Sequence, residues 1–530
     1  MSLSQNVRHT KSAHKKTENN MKGTNESYHS DESGVIDTAS GKQHKTADLF
    51  HETTHSNRAT QPSTKLPSKP KSVTQETLAK PNAGPNTATH SKVSPQDNLI
   101  PNDVTKQDVI NRFKATRQQT HQLCGPRAIE DYGLQSMAEA SPPKWHIAHV
   151  TWFFETFILK NFAPRYKPIN PKYEVLFNSY YNAVGEQYPR PKRGLLSRPT
   201  VAEVFEYRRI IDEEMLNLLA SPLGDNEELL ALVLLGINHE QQHQELLLTD
   251  LKHHFFQNPL YPSYHQASEF NPPNRKNNVT LCDLQFYECN GGIHEIGFDP
   301  THANSQFHFD NESPLHRFHV NDFSIANRLI SNEEYLCFIE DKGYDAPLLW
   351  LADGWATKNE LDWQAPLYWV KQDNEWFEFT LFGLQKLDLQ KPVSHISFYE
   401  AMAFAEWNGK RLPSEPEWEA VAKETPLCGN FQDNGIFEPL ANEEVPSIDY
   451  PSQLYGDLWE WTQSAYQPYP GFKPAAGAIG EYNGKFMCNQ LVLKGGSCAT
   501  PLNHIRPSYR NFFYPADRWQ FMGIRLADSV

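Results

Sequence analysis

The sequence predicts a multidomain chain of α and α+β class, a helical bundle followed by an irregular α+β domain. Two observations predict it. From 103 to 256 apolar residues recur at helical spacing behind N-cap signals, whereas from 278 to 528 the chain turns to short segments rich in Gly, Trp, Pro and Asn. Between them, 257–277 (QNPLYPSYHQASEFNPPNRKN) carries the Pro and Asn content of a linker.

Four helices are expected in the first region. One runs from near Asp103 to His121. A second begins at Pro142–Pro143, where a first turn loses no amide partner, and carries KWHIAHVTWFFETFILK. The third starts on a capping box, Thr200 with Glu203, and the fourth on a similar pair, Asp225 with Glu228, before LLALVLLGINHEQQHQELLLTDLKHH. Amphipathic helices of this length pack as a bundle. About 40 residues join the second helix to the third, longer than a connector needs to be. In the second region FHVNDFSIAN reads as strand and SFYEAMAFAEWNG as helix, and no internal repeat is evident.

Residues 1–100 hold only two aromatics, Tyr28 and Phe50, and read as a disordered tail with too little apolar surface to offset ordering. The tail has 13 Lys+Arg against 9 Asp+Glu while the chain carries −15, so the remainder is acidic. That sign argues against nucleic acid and anionic membranes as partners. No apolar run approaches the ~18 residues of a membrane span. The start, MSLSQNVRHTKSAHKK, lacks the apolar stretch of a secretory signal, and the seven cysteines form neither zinc-type pairs nor a disulfide lattice. A cytoplasmic location is expected.

His239 and His243, four apart, project from one helix face together with Leu232, Leu235, Gly236, Leu246 and Asp250. Two imidazoles on a buried stripe are costly unless their lone pairs are used, so a metal is favoured over hydrogen-bonded core histidines. HEQQH also fits the zinc-protease pattern H-E-x-x-H. Leu246 and Thr249 stand where one protease class needs Gly and His, and the glutamate another class needs downstream gives way to linker. A third ligand is better sought on the second helix, at His146 or His149, which spacing does not separate; Fe(II) and Zn(II) both suit. Glu245 points to another side of the helix, as a buried orienting group or helix contact.

WHIAHVTWFFETF, LFNSYYNAVGEQYPRPKRGLLSRPT and HEQQHQELLLTD together resemble the ergothioneine-type sulfoxide synthases. The likeness continues in PVSHISFYEAMAFAEWNGKRLPSEPEWEA, YGDLWEWTQSAYQPYPGF and LKGGSCATPLNHIRPSYRNFFYPADRWQFMGIRLA, covering nearly all of 103–528. The resemblance implies a DinB-like four-helix bundle followed by a C-type-lectin-like domain similar to the formylglycine-generating enzymes. It implies a non-haem Fe(II) enzyme that uses O2 to join hercynine (N-alpha-trimethylhistidine) to a cysteine-type thiol, with His149, His239 and His243 as ligands. Tyr180 and Tyr181 match catalytic tyrosines, Arg190 and Arg193 the positions that bind the sulfur donor's carboxylate, and Gln242, Asn511 and Phe512 substrate-binding positions. Members using gamma-glutamylcysteine carry Asp and Arg where this chain has Phe513 and Asp517, so free L-cysteine is the expected donor. Related activities are a selenoneine synthase taking a selenosugar and an ovothiol-type synthase, the latter commonly with a methyltransferase domain. A metal-stabilised lectin-like binding module is the non-enzymatic alternative. Formylglycine generation needs an active-site cysteine pair, to which Cys428, Cys488 and Cys498 are not assignable.

Overall fold

In a computed structural model, residues 104–125, 128–265, 281–300, 307–442 and 450–530 are described. The expected tail and much of the expected linker lie outside them. Helix α1 (Lys106–Cys124) starts on a capping box in which Thr105 accepts from the Asp108 N–H and the Asp108 carboxylate accepts from the Thr105 N–H. Helix α2 (Pro143–Phe153) begins with proline in its first turn and passes through a π-helical segment, Phe154–Leu159. Helix α3 (Val201–Ala220) has the Thr200/Glu203 capping box. Helix α4 (Glu227–Phe256) is capped one residue later than expected. Asp225 closes a 3-10 turn, Pro222–Asp225, and the Asn226 side chain accepts from the Leu229 N–H.

Helix α1 packs on α4, and α2 on both α3 and α4. Their apolar stripes meet in a core that includes Phe113, Trp152, Phe154, Ile211, Met215 and Ile237. Gly236 on α4 is where Phe154 of the π-helical segment comes closest: a Cβ there would lie 2.6 Å from the Phe154 ring. A buried ionic knot crosses the bundle. Glu240 accepts from Arg117 at 2.7 Å, from Arg208 at 2.5 Å and from Thr120 at 2.6 Å. Burial raises this carboxyl, but the two guanidinium groups more than offset that and hold it at about 2.

The second half is built of short sheets. Strands β1 (Phe286–Cys289), β2 (Gly292–Ile296), β3 (His316–Val320) and β4 (Phe323–Ala326) come first. The expected single strand FHVNDFSIAN is therefore two, broken at Asn321–Asp322: β3 pairs with β2, while β4 pairs with β1. The break has a local cause, because Asp322 turns its carboxylate to the Gly291 N–H. Next come β5 (Trp369–Gln372), β6 (Glu375–Thr380) and β7 (Gly383–Lys386) as an antiparallel meander. The remaining strands are β8 (Trp459–Ala465), β9 (Leu491–Lys494), β10 (Asn511–Phe513), β11 (Met522–Gly523) and β12 (Ala527–Ser529). They form a sheet ordered β10-β9-β8-β11, with β12 returning beside β4. Helices α5 (Asn332–Glu340), α7 (Phe398–Trp407) and α8 (Glu415–Glu424) start on Ser–Glu capping boxes, and α6 (Ala352–Glu360) lies between α5 and α7. Helix α7 is the one expected at SFYEAMAFAEWNG.

The two halves belong to one compact unit and share one core. Polar joints fix them along α4. The Glu245 carboxylate accepts from the Trp459 indole at 2.7 Å, Ser497 at 2.5 Å and Thr500 at 2.8 Å. Lys252 donates to His395 at 2.9 Å. Of the expected linker, 257–265 is packed: the Tyr264 and His265 N–H groups donate to the Leu381 carbonyl, and the Tyr264 hydroxyl to that of Leu123.

Candidate metal centre

His149 on α2 meets His239 and His243 on α4. One ring nitrogen from each lies within 4.8 Å of the others, a histidine trio with His149 and His239 buried and His243 partly so. Helical periodicity brings His239 and His243 one turn apart, their ring centroids separated by 4.7 Å. The long connection orients His149. Its one-turn helix Tyr173–Phe177 ends with the Phe177 carbonyl 2.6 Å from His149 Nδ1, which must donate to it. His149 Nε2 is therefore a bare lone pair, 3.2 Å from His239 Nε2.

All three rings are neutral. Burial pushes His149 and His243 well below the usual imidazole range and takes His239 to about 3. Three uncharged imidazoles with convergent nitrogens are a cation-binding donor set. The 3.2 Å between the His149 and His239 Nε2 atoms would let both nitrogens reach one ion. His239 Nδ1 is buried without a partner, so neither tautomer of that ring satisfies both nitrogens through the protein. The residues fit a metal.

The glutamate of HEQQH is unsuited to serve such a metal as a protease base. Glu240 faces away from the histidines into the Arg117–Arg208 knot, with its oxygens committed.

The surroundings of His149 are aromatic and cationic. Trp145 stacks on it at 4.6 Å with 11° between the planes, and Trp152 lies on it at 5.5 Å. Beyond Trp145 the Arg193 guanidinium carbon lies 3.3 Å from the indole centroid. Arg193 is buried and, among the described residues, donates to the Ser141 and Ser179 hydroxyls, at 2.9 and 3.2 Å, with no partner there for its Nε. Among the described residues no carboxylate reaches salt-bridge distance of it. Burial, then repulsion from Arg190, pushes its pKa well down. Arg190 is exposed and donates to the Glu139 carbonyl.

Tyr180 donates to the Tyr181 hydroxyl at 3.2 Å, with ring centroids 4.4 Å apart. Burial raises both phenols, so both are neutral. Tyr181 is wholly buried against Trp152 and Phe157, whereas Tyr180 faces Phe486 and Tyr482. Gln242 points into the second half: its amide donates to the Tyr509 hydroxyl at 2.9 Å and its oxygen accepts from Tyr482. Tyr482 was not anticipated. It lies 5.7 Å from His239 ring to ring and stacks on Phe309, yet its segment of 3-10 turns offers no periodicity to mark it.

Asn511 and Phe512 lie further out, on β10. The Asn511 oxygen accepts from the Phe512 N–H, and Phe512 stacks on Tyr466 at 4.1 Å. Phe512 is thus a packed ring that reaches Tyr180 only through Phe486. His146 is not among the three converging nitrogens; it sits against the outer nitrogen of His243.

Residues 112–247 match the DinB superfamily, and residues 287–444 and 451–530 the sulfatase-modifying factor enzyme 1-like domain. A hercynine oxygenase of Mycolicibacterium smegmatis is 30% identical over 416 residues, 74% of this chain and 91% of that protein. One from Mycobacterium tuberculosis is 30% identical over 412 residues, with the same coverage. Ergothioneine biosynthesis protein 1 of Schizosaccharomyces pombe is 31% identical over 236 residues, 42% of this chain and 28% of that protein. With this likeness running the length of both halves, the chain belongs to the hercynine oxygenase family.

Proposed function

We propose that this chain is an Fe(II)- and O2-dependent sulfoxide synthase that joins hercynine to L-cysteine, giving hercynylcysteine sulfoxide and water. One O2 balances the reaction: the imidazole C–H and the thiol S–H leave as water, and the second oxygen atom ends on sulfur. The observation that carries the proposal is the convergence of His149, His239 and His243 as neutral donors in a chain whose relatives bear the name hercynine oxygenase. His149, His239 and His243 would hold Fe(II), which would supply the redox chemistry of O2 reduction.

The protein's own groups do the positioning. Arg193 is a buried cation without an anion, and a substrate carboxylate supplies one; Arg190 stands at the outer side of the same turn. A planar guanidinium whose remaining N–H groups are unspent takes a carboxylate with charge-assisted bonds. Tyr181, neutral and already accepting from Tyr180, has its own O–H to give, which suits it to deliver a proton inside the site, with Tyr180 replenishing it from the outer side. Gln242 presents an amide fixed at both ends toward the imidazole substrate. The rings of Tyr180, Tyr482, Phe309 and Phe486 cluster beside His239, with Asn511 and Phe512 behind them as the outer wall. Each ring face attracts a quaternary ammonium by roughly 0.5–2 kcal/mol.

Two observations favour L-cysteine over its rivals. A selenosugar brings no carboxylate to Arg193. Gamma-glutamylcysteine brings a second carboxylate, and beside Arg190 the chain places Glu139 and the buried Asp517, so no further unpaired cation is offered to it there. The test is competition. With L-cysteine, gamma-glutamylcysteine and a selenosugar together, mass spectrometry should show the cysteine adduct in excess; a predominant selenium or glutamyl product would overturn the choice of donor.

A further inference from the structure

Asp250 lies two turns beyond His243 on α4 and is buried. Its Oδ2 accepts from the Ser141 N–H at 2.8 Å, and its Oδ1 from the Trp519 indole N–H at 3.2 Å. A carboxyl holding N–H donors on both oxygens is an acceptor throughout. His146 Nε2 lies 3.0 Å from the same Oδ2, so this nitrogen carries a proton and donates it. Assigned the tautomer with its proton on Nε2, the ring is bare at Nδ1, and His146 Nδ1 lies 2.9 Å from His243 Nδ1. His243 must then donate from Nδ1, which leaves its Nε2 as the lone pair.

Resting on the metal reading above, we propose that His146 is a positioning residue. With Asp250, it sets the tautomer and ring angle of His243 so that a lone pair, not an N–H, faces His149 and His239. Trp519 belongs to the lectin-like half and Ser141 to the segment before α2, so the relay ties this ligand to both halves. It mirrors the other ligand from α2, where the Phe177 carbonyl does for His149 what His146 does for His243. Groups in this position typically alter metal affinity 10–100-fold. Interposing a ring also keeps the Asp250 charge one imidazole away from the ion, preserving positive potential for anionic ligands.

The test is metal retention by the full-length protein, with Zn(II) and Fe(II) each as probe and a chelator as competitor. His146→Leu should weaken retention 10–100-fold. His146→Gln should recover most of it, because an amide can accept from His243 and donate to Asp250. Asp250→Asn should also weaken retention, as the side-chain NH2 turns donor toward His146 or its neighbours. Circular dichroism verifies that each variant folds, and Trp519→Phe, which removes the indole N–H to Asp250 together with one ring, stands in for any that does not, with an expected loss of several-fold. Wild-type retention in folded His146→Leu, or equal loss in the Leu and Gln variants, would overturn the positioning role. Failure of wild type to bind either metal would overturn the metal reading, and this inference with it.

Discussion

Arg193 has surroundings that stability alone does not explain, since an unpaired buried guanidinium destabilises a fold. Arg193→Met should leave the melting temperature unchanged or raise it, while weakening cysteine. Losing a charge-assisted contact of about 1.5–3 kcal/mol corresponds to roughly a 10–150-fold rise in KM for the thiol. A loss of stability with unchanged KM would show the residue to be structural. Asp517 gives a pH signature. Burial raises its carboxyl to about 7, above the 3.8 of an unfolded chain, so the folded state holds the proton more tightly. Its contribution is fully present below about 3.8 and lost as pH rises through 7. Asp517→Asn, which cannot ionise, should therefore gain stability relative to wild type between pH 5 and pH 8, read from denaturant midpoints; a constant difference would contradict the raised pKa. At this scale the sequence is legible where spacing rules apply. His239 and His243 are paired by their i,i+4 register, and Asp250 shares their face. His146 and His149 are not separable that way, because both leave one side of α2 and only the contact with His243 tells them apart. Tyr482 is beyond reach, lying in turns that no period describes.

Helix signals were mostly readable because caps are local. The boxes at Thr200/Glu203 and Ser397/Glu400 place their helices, but Asp225 and Asn226 are adjacent cap residues and only the preceding 3-10 turn decides between them. The π-helical segment of α2 has no such signal. It reflects packing: Phe153 lies 4.7 Å from the His239 ring, and Phe154 fills the space over Gly236. Gly236→Ala sets two effects against each other. Helix propensity favours alanine by about 1 kcal/mol, while a methyl 2.6 Å from Phe154 overpacks the core at about 1–3 kcal/mol. Overpacking should win, giving a lower unfolding midpoint and, through Phe153, weaker metal retention. A more stable variant would mean that the π-helical segment moves freely.

At the scale of the molecule, the order of a helical bundle and a lectin-like half was visible in the change of texture near 257–277, and the likeness of motifs runs through both. What composition does not reveal is how the halves join. Glu245, Asp250 and Lys252 leave one helix within eight residues, and each finds a partner in the second half, 214, 269 and 143 positions away. Long-range contacts of that kind have no sequence period. They matter because the proposed site draws its histidines from the bundle and Tyr482 and Tyr509 from the second half. The direct test is reconstitution of the anaerobically purified full-length protein with Fe(II), followed by hercynine, L-cysteine and O2, with oxygen uptake and product mass recorded together. Hercynylcysteine sulfoxide should form at one per O2 consumed, and His149→Ala should abolish it together with iron retention. No sulfoxide from iron-loaded wild type, or undiminished sulfoxide from His149→Ala, would contradict the proposed function.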